Sequence, residues 1–280
     1  MRHPFSQIDV FTLAAFKGNP LAVIHDADDL SDDDMASIAR WTNLSETTFL
    51  LKPRTPAAHY RVRIFTPGGE LPFAGHPTLG SAFAWLRAQG LAQPLNHLVQ
   101  ECEVGLIDIK LIDQKYYFKA PPLRRSGPLA STDLTTLIHA LSLRPEAVVH
   151  HQWVDNGPGW CALYLDSAET VLKLNADHPD LKPYKLGIIG PYPKGHEVQF
   201  EVRAFVGSLG VPEDPVTGSL NAGIASWLFK DGLMDKPYVV SQGTALAREG
   251  RVFVEQAADG IWIGGHVCPV IDGTIDLSFR

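Results

Sequence analysis

FAGHPTLGSAFAWL, residues 73–86, places a histidine and a proline directly before an uncharged, apolar stretch of helical character. EDPVTGSLNAGIASWL, residues 213–228, repeats this arrangement with aspartate in the place of histidine. The pattern H-P-x-x-G-S of residues 76–81 aligns with D-P-x-x-G-S of residues 214–219 at an offset of 138 residues, about half of the 280-residue chain. Each copy follows a strand-like run and a glycine-containing loop. We therefore predict an internal duplication in which strands wrap one buried helix in each half.

Short apolar runs rich in Val, Ile, Phe and Tyr dominate the rest of the chain, so most of it is predicted to be strand. Helices are predicted at 32–41, 77–89, 131–142 and 215–230. The first has Ser31 as its N-cap and three aspartates in its first turn, and the third has Ser131 or Thr132 as its N-cap.

The two repeated helices have proline at the predicted first helical position, which makes His76 and Asp214 the predicted N-cap residues. A helix N-terminus presents unpaired N–H groups and attracts anions. Gly80 and Gly218 lack a Cβ, which would let a ligand or another backbone approach. Taken alone, Asp214 is better explained as an ordinary N-cap that stabilises its helix by about 1 kcal/mol.

Composition points to a soluble enzyme or binding protein for small molecules. A net charge of −7 and a pI near 5.8 argue against nucleic acid or an anionic membrane as the main partner. The chain carries no signal peptide or apolar run long enough to span a membrane, so a cytoplasmic location is expected. Three widely spaced cysteines indicate neither a disulfide framework nor a zinc site.

The break between the halves is predicted in the Pro-, Gly- and Ser-containing segment 120–131. The expected domains are 1–122, completed by a C-terminal strand at 266–280, and 123–265. If the halves pack as pseudo-twofold mates, both helix starts face one cleft, a usual place for a small-molecule site. Glu46, which opens the strand ETTFLL, is either an exposed strand-end residue or, if buried, a carboxylate suited to proton transfer.

Several motifs in order resemble the PhzF-like phenazine-biosynthesis isomerases, relatives of diaminopimelate epimerase: VFTLAAFKGNPLAVI, NLSETTFL, RIFTPGGELPFAGHPTLGSAF and EDPVTGS. The resemblance runs from about residue 8 to the closing GGHVCPVIDGTI. It implies an α+β, diaminopimelate epimerase-like fold of two pseudo-symmetric domains, each a curved β-sheet or barrel around a central buried helix. It also implies a homodimer.

The same resemblance implies a proton-shuttling isomerase of the trans-2,3-dihydro-3-hydroxyanthranilate type, acting on a small carboxylic acid without cofactor or metal. In such enzymes a glutamate matching Glu46 moves the proton, assisted by residues matching His76 and Asp214. The implied substrate-binding residues are Gly75, Gly218, Ser219, Asn19 and Ser45. After SQG at 241–243 many members have Met-Gly-Arg-Pro, whereas this chain reads TALAREG, so the reaction class is predicted rather than the substrate molecule.

Three alternatives stay open or are set aside. A two-cysteine racemase is excluded because Ala74, Gly75, His76, Glu213 and Asp214 occupy the helix starts where such enzymes place cysteines. A hydrolase using Ser219 would need a histidine within hydrogen-bond reach. A non-catalytic protein that binds a small carboxylic acid on the same fold is the main alternative, and it predicts binding without proton exchange.

Overall fold

A computed structural model describes residues 1–90, 95–175, 177–207 and 212–278. The strands are β1 (Arg2–Val10), β2 (Asn19–Ile24), β3 (Thr47–Leu51), β4 (Tyr60–Thr66), β5 (Gly69–Leu71), β6 (His97–Cys102), β7 (Gly105–Ile112), β8 (Lys115–Lys119), β9 (Val148–Trp153), β10 (Trp160–Leu165), β11 (Lys185–Pro191), β12 (Phe200–Phe205), β13 (Glu213–Asp214), β14 (Tyr238–Gln242), β15 (Gly250–Ala257), β16 (Gly260–Gly265) and β17 (Val267–Asp276). The α-helices are α1 (Asp32–Thr42), α2 (Gly75–Gln89), α3 (Ser131–Ala140), α4 (Ala168–Leu172) and α5 (Gly218–Lys230).

The chain divides into two compact units, one of residues 1–119 with 264–280 and the other of residues 120–263. The sequence-based boundaries at 122 and 265 stay predictions, and the last two residues of the expected C-terminal strand lie outside the described residues. No helix in the described ranges is long and apolar enough to cross a membrane.

In the first unit the strands follow the order β17, β1, β2, β3, β4, β6, β7, β8, and β5 pairs with the end of β4. Pairs β2–β3 and β4–β6 are parallel, and the others in this order are antiparallel. Helix α2 packs against most of these strands and buries two thirds of its side chains, from Gly75 to Leu86. It carries no charge before Arg87 because the sheet surrounds it.

The second unit repeats the pairing of the first. Strands β9–β10 pair antiparallel as β1–β2 do, β10–β11 parallel as β2–β3 do, and β11–β12 antiparallel as β3–β4 do. Strand β12 then pairs with β13 and, in parallel, with β14, as β4 pairs with β5 and β6. The buried helix α5 takes the place of α2 in chain order. The predicted duplication is confirmed.

The helix boundaries confirm some predictions and correct others. Ser31 is the N-cap of α1, as predicted, and it forms a capping box with Asp34. Helix α3 begins at Ser131, as predicted, but it ends at Ala140 rather than at 142, and its N-cap is Ala130 rather than Ser131 or Thr132. The close approach at Gly80 is made by neither ligand nor backbone. A Cβ there would lie 2.5 Å from the side chain of Leu21 and 2.9 Å from that of Ile8, so Gly80 lets α2 pack on β1 and β2.

Candidate active site

Glu46 stands directly before β3, at the end of a tight connection from α1. The helix is capped at its C-terminus by Asn43, which adopts the left-handed conformation with φ of 53°, and the hydroxyls of Thr42 and Thr47 lie 2.8 Å apart across the connection. Strand β3 is itself held between β2 and β4. The Glu46 side chain is only 15% exposed. The alternative of an exposed strand-end glutamate therefore does not describe this residue.

His76 lies against Glu46. Its Nε2 is 3.4 Å from Oε2 of Glu46, and its side chain is 6% exposed. Burial lowers the pKa of His76 from 6.5 to about 3, because desolvation disfavours the imidazolium form. The Glu46 carboxylate opposes this shift when ionised, but the loss of hydration is the larger effect. At neutral pH, His76 is a neutral ring with one N–H and one acceptor nitrogen.

The prediction that His76 is an N-cap is wrong. The helix begins two residues earlier than predicted, at Gly75, with Ala74 as its cap, and the amide of Thr78 donates to the carbonyl of Ala74. Pro77 is therefore in the first turn rather than at its first position, which its missing N–H still allows. The imidazole is left available because it does not bond the helix backbone as a cap would.

Asp214 is not a helix cap either. It belongs to β13, where it pairs with Ala204 of β12, and α5 begins only at Gly218 with Thr217 as its N-cap residue. The Asp214 carboxylate accepts a hydrogen bond from the Thr217 hydroxyl at 2.5 Å. Strand pairing with β12 holds the aspartate in extended backbone, which is why the expected helix start does not form there.

The N-terminus of α5 is capped by Gln242, the last residue of β14. Its Oε1 accepts from the backbone N–H of Thr217 at 3.0 Å, and its Nε2 donates to the Thr217 hydroxyl at 3.0 Å. The neighbouring Gly243, with φ of +91°, approaches Pro215 so closely that a Cβ would lie 2.7 Å from the Pro215 carbonyl oxygen. The end of β14 and the segment that follows it, atypical in sequence, thus border the segment that carries Asp214. Sequence reasoning missed Gln242, although it stands in the SQG motif.

Ser219 lies in the first turn of α5 and is oriented by two side chains that the sequence did not indicate. The indole N–H of Trp160 donates to Ser219 Oγ at 3.0 Å, and the Asn156 amide donates to the Ser219 carbonyl at 2.8 Å. An indole is a donor only, so Ser219 accepts from it and keeps its own hydroxyl proton for another acceptor. A ligand carboxylate is such an acceptor.

The remaining predicted residues occupy the ends of elements. Gly75 and Gly218 are the first residues of α2 and α5, where helix amides lack partners within the helix. Asn19 is fully buried at the start of β2, paired with Val10 of β1. Ser45 is partly exposed in the bend before Glu46. Glu46 and His76 are in direct contact in the first unit, and Asp214, Gly218 and Ser219 share one segment of the second.

A group with metal-ligand chemistry lies outside these residues. The ligand atoms of His139, His178 and Asp180 lie within 4.8 Å of one another, on a largely exposed surface. Nδ1 of His178 already accepts from the Asp180 backbone N–H at 3.3 Å. The group contains none of the predicted site residues.

Comparison with known proteins places the chain in a family. The family model described as phenazine biosynthesis-like protein, PhzC-PhzF, matches residues 8–273. The trans-2,3-dihydro-3-hydroxyanthranilate isomerase of Pseudomonas fluorescens is 34% identical over 260 residues, with 90% of each chain covered. Antisense-enhancing sequence 1 of Schizosaccharomyces pombe is 34% identical over 296 residues, covering 97% of this chain and 98% of its own.

Solved structures agree on the fold. A PhzF-family protein from Enterococcus faecalis superposes with a TM-score of 0.82 at 28% identity, covering 99% of this chain and 100% of its own. A hydroxyproline epimerase from Agrobacterium vitis superposes with a TM-score of 0.59 at 11% identity, covering 99% of this chain and 93% of its own. The predicted diaminopimelate epimerase-like fold class is therefore confirmed. The chain belongs to the phenazine biosynthesis-like family, PhzC-PhzF, and is an isomerase of that family.

Proposed function

We propose that this isomerase moves a proton between carbon atoms of a small carboxylic acid without a cofactor, in the manner of a trans-2,3-dihydro-3-hydroxyanthranilate isomerase. The observation that carries the proposal is the contact of Glu46 with His76, two groups able to exchange protons, 3.4 Å apart and largely removed from water. Such pairs supply the positioned acid and base that proton abstraction from carbon requires.

Glu46 is the proposed base. Its carboxylate takes a proton from an acidic C–H of the substrate, becomes a carboxylic acid, and returns the proton to a different carbon of the same molecule. The net reaction moves one proton and one double bond, so it needs neither oxidant nor reductant. The Glu46 side chain keeps some contact with solvent, being 15% exposed, so in heavy water part of the protons returned to the substrate are deuterons.

His76 is the proposed partner of Glu46 in this step. Because burial holds its pKa near 3, the ring is neutral and offers an N–H without adding a full positive charge. A neutral donor can hydrogen-bond either the Glu46 carboxylate or the developing negative charge of the substrate. His76 thereby stabilises the state in which the proton has left carbon.

Asp214 and Ser219 are proposed to serve the same substrate from the second unit. Ser219 has its hydroxyl proton available as a donor because Trp160 occupies one of its lone pairs. The helix amides at Gly75 and Gly218 favour a carboxylate ligand by their partial positive charge. The named activity of the Pseudomonas fluorescens relative, at 34% identity, supports a substrate of related chemistry.

Incubation in heavy water with a panel of cyclic and α-amino carboxylic acids, including trans-2,3-dihydro-3-hydroxyanthranilate, tests this function. Mass spectrometry of recovered ligand is expected to show deuterium at one carbon for at least one compound. The control is the Glu46→Gln variant, which should bind that compound without incorporating deuterium. Tight binding by the wild type with no deuterium in any bound compound would instead favour the non-catalytic carboxylate-binding alternative.

A further inference from the structure

Two backbone groups of Thr217 fix the orientation of two buried side-chain amides. The Thr217 N–H can only donate, and it faces Oε1 of Gln242 at 3.0 Å. The Thr217 carbonyl can only accept, and it faces Nδ2 of Asn221 at 2.9 Å. Nδ2 of Asn221 also donates to Oε1 of Gln242 at 2.8 Å. The oxygen of Gln242 therefore points at two donors, and a flipped amide would set donor against donor.

This orientation determines what Gln242 offers to the Thr217 hydroxyl. Its Nε2 lies 3.0 Å from Thr217 Oγ1 and must donate to it. The Thr217 hydroxyl therefore does not donate its proton to Gln242. Thr217 Oγ1 lies 2.5 Å from Oδ2 of Asp214. The proton is directed to Asp214, whose ionised carboxylate is an acceptor only. Gln242 is fully buried, so water does not compete for these bonds.

We propose that Gln242 is a positioning residue that sets the direction of the Thr217–Asp214 hydrogen bond and thereby holds Asp214 as an ionised, oriented acceptor. This role rests on the proposed function, in which Asp214 serves the substrate together with Ser219. Gln242 ends β14, which pairs in parallel with β12, and β12 also pairs with β13, the strand of Asp214. One strand, β12, thus pairs with both strands that carry the ends of the Gln242–Thr217–Asp214 hydrogen-bond relay, which keeps its geometry rigid.

Replacing the amide donor of Gln242 by an acceptor should weaken the hydrogen bond from Thr217 to Asp214. In Gln242→Glu, the oxygen facing the Thr217 N–H is retained, but the group facing Thr217 Oγ1 becomes an acceptor. The hydroxyl proton can then turn away from Asp214, and a second carboxylate is added beside it. Both changes disfavour the ionised form of Asp214, so its titration midpoint should move to higher pH by about one unit or more.

Carboxyl NMR of the full chain labelled with carbon-13 in aspartate measures this midpoint without any substrate. The Asp214 signal is identified by its loss in Asp214→Asn. The expected order is a midpoint unchanged in Thr217→Ser, raised in Thr217→Val and raised in Gln242→Glu. Nearby charged groups, Glu213 in its ion pair with Arg203 and Arg248 packed on Gly243, are the same in all variants. Wild-type midpoints in both Thr217→Val and Gln242→Glu would overturn the proposal.

Neutron diffraction of the wild-type protein locates the deuteron on the Thr217 hydroxyl directly. This measurement needs no substitution, so it does not depend on the folding of any variant. A deuteron on Thr217 Oγ1 directed at Asp214 Oδ2 is expected, and one directed at Gln242 would overturn the proposal. Deuterium incorporation into substrate is a separate measurement. A relay confirmed in a protein without exchange activity would refute the proposed function alone, and activity with a reversed relay would refute the proposed role of Gln242 alone.

Discussion

Arg203 and Glu213 form a buried, two-pronged ion pair between β12 and β13, with Nε–Oε1 and Nη2–Oε2 distances of 3.0 and 2.6 Å. Arg63 and Glu70 form the same pair between β4 and β5, with both distances at 2.7 Å. Each glutamate lies opposite a phenylalanine in the strand register. Both units therefore contain the same ion pair, in each case between the two strands that precede the buried helix in the chain.

The two ion pairs should differ in their contribution to stability. In the second unit the arginine and glutamate side chains are 6% and 2% exposed, against 22% and 31% in the first. Arg203→Met leaves a buried, unpaired carboxylate and should lower the free energy of unfolding by about 3–5 kcal/mol. Urea denaturation of Arg203→Met beside Arg63→Met checks this. A loss for Arg63→Met equal to or above that for Arg203→Met would contradict the role of burial.

A glycine in α5 is required by the packing of its own unit. A Cβ at Gly223 would lie 2.2 Å from the carbonyl oxygen of Val154, a backbone atom that cannot turn aside. Gly223→Ala should therefore destabilise the protein by about 3 kcal/mol. Gly68→Ala is the matched control, since its nearest atom would be 3.6 Å away. Equal melting temperatures for the two variants would show that α5 can shift away from Val154.

The duplication and the buried helices were predictable because they depend on pattern alone. An uncharged helix of more than two turns must be buried, and its repetition after similar strands indicates a repeated unit. His76 was reached from the repeated pattern and Glu46 from its place at the start of a strand, and the family resemblance gave both a role in proton transfer. Their contact has no local sequence pattern because 30 positions separate them. Strand β6 has little local signal, since HLVQEC lacks clear apolar alternation and is held by pairing with β4 and β7.

The predicted starts of α2 and α5 were wrong because long-range contacts, rather than the local sequence, decide where these helices begin. A proline after His76 or Asp214 is compatible with several positions at the start of a helix, and tertiary pairing selects among them. For α5 the cap comes from Gln242, 25 positions away from Thr217. Long-range hydrogen bonds of this type, like that of Trp160 with Ser219, leave no local pattern for sequence reasoning to detect.

Stability should depend on pH through His76. Its pKa in the folded protein is about 3 against an ordinary 6.5, so below pH 6.5 the unfolded chain binds a proton that the folded chain does not. The free energy of unfolding should therefore fall as pH decreases from 6.5 toward 3, by up to about 3 kcal/mol at pH 4.5 from this residue.

Urea denaturation at pH 7 and pH 4.5 measures this dependence. His76→Gln should lose less stability than the wild type over this interval, because it removes the group that titrates. His150→Gln, which changes an exposed histidine, is the control. An identical pH dependence for His76→Gln and the wild type would contradict a neutral, buried His76.

Trp160 should affect substrate binding through Ser219. Trp160→Phe keeps the aromatic ring and removes the N–H that donates to Ser219 Oγ. The Ser219 hydroxyl is then no longer oriented, so KM should rise about tenfold while kcat changes little. Trp262→Phe is the matched control, because that indole donates to Asp259 instead. A tenfold fall in kcat at constant KM would mean that Ser219 acts in the chemical step rather than in binding.

The central claim is that Glu46 carries the proton, and the rate of solvent-deuterium incorporation into a turned-over substrate tests it most directly. Glu46→Gln keeps the size of the side chain and removes the base, whereas Glu103→Gln alters an exposed glutamate. The account predicts a rate about 100-fold or more below the wild type for Glu46→Gln, with ligand affinity retained and Glu103→Gln unaffected. Incorporation by Glu46→Gln at the wild-type rate would contradict it.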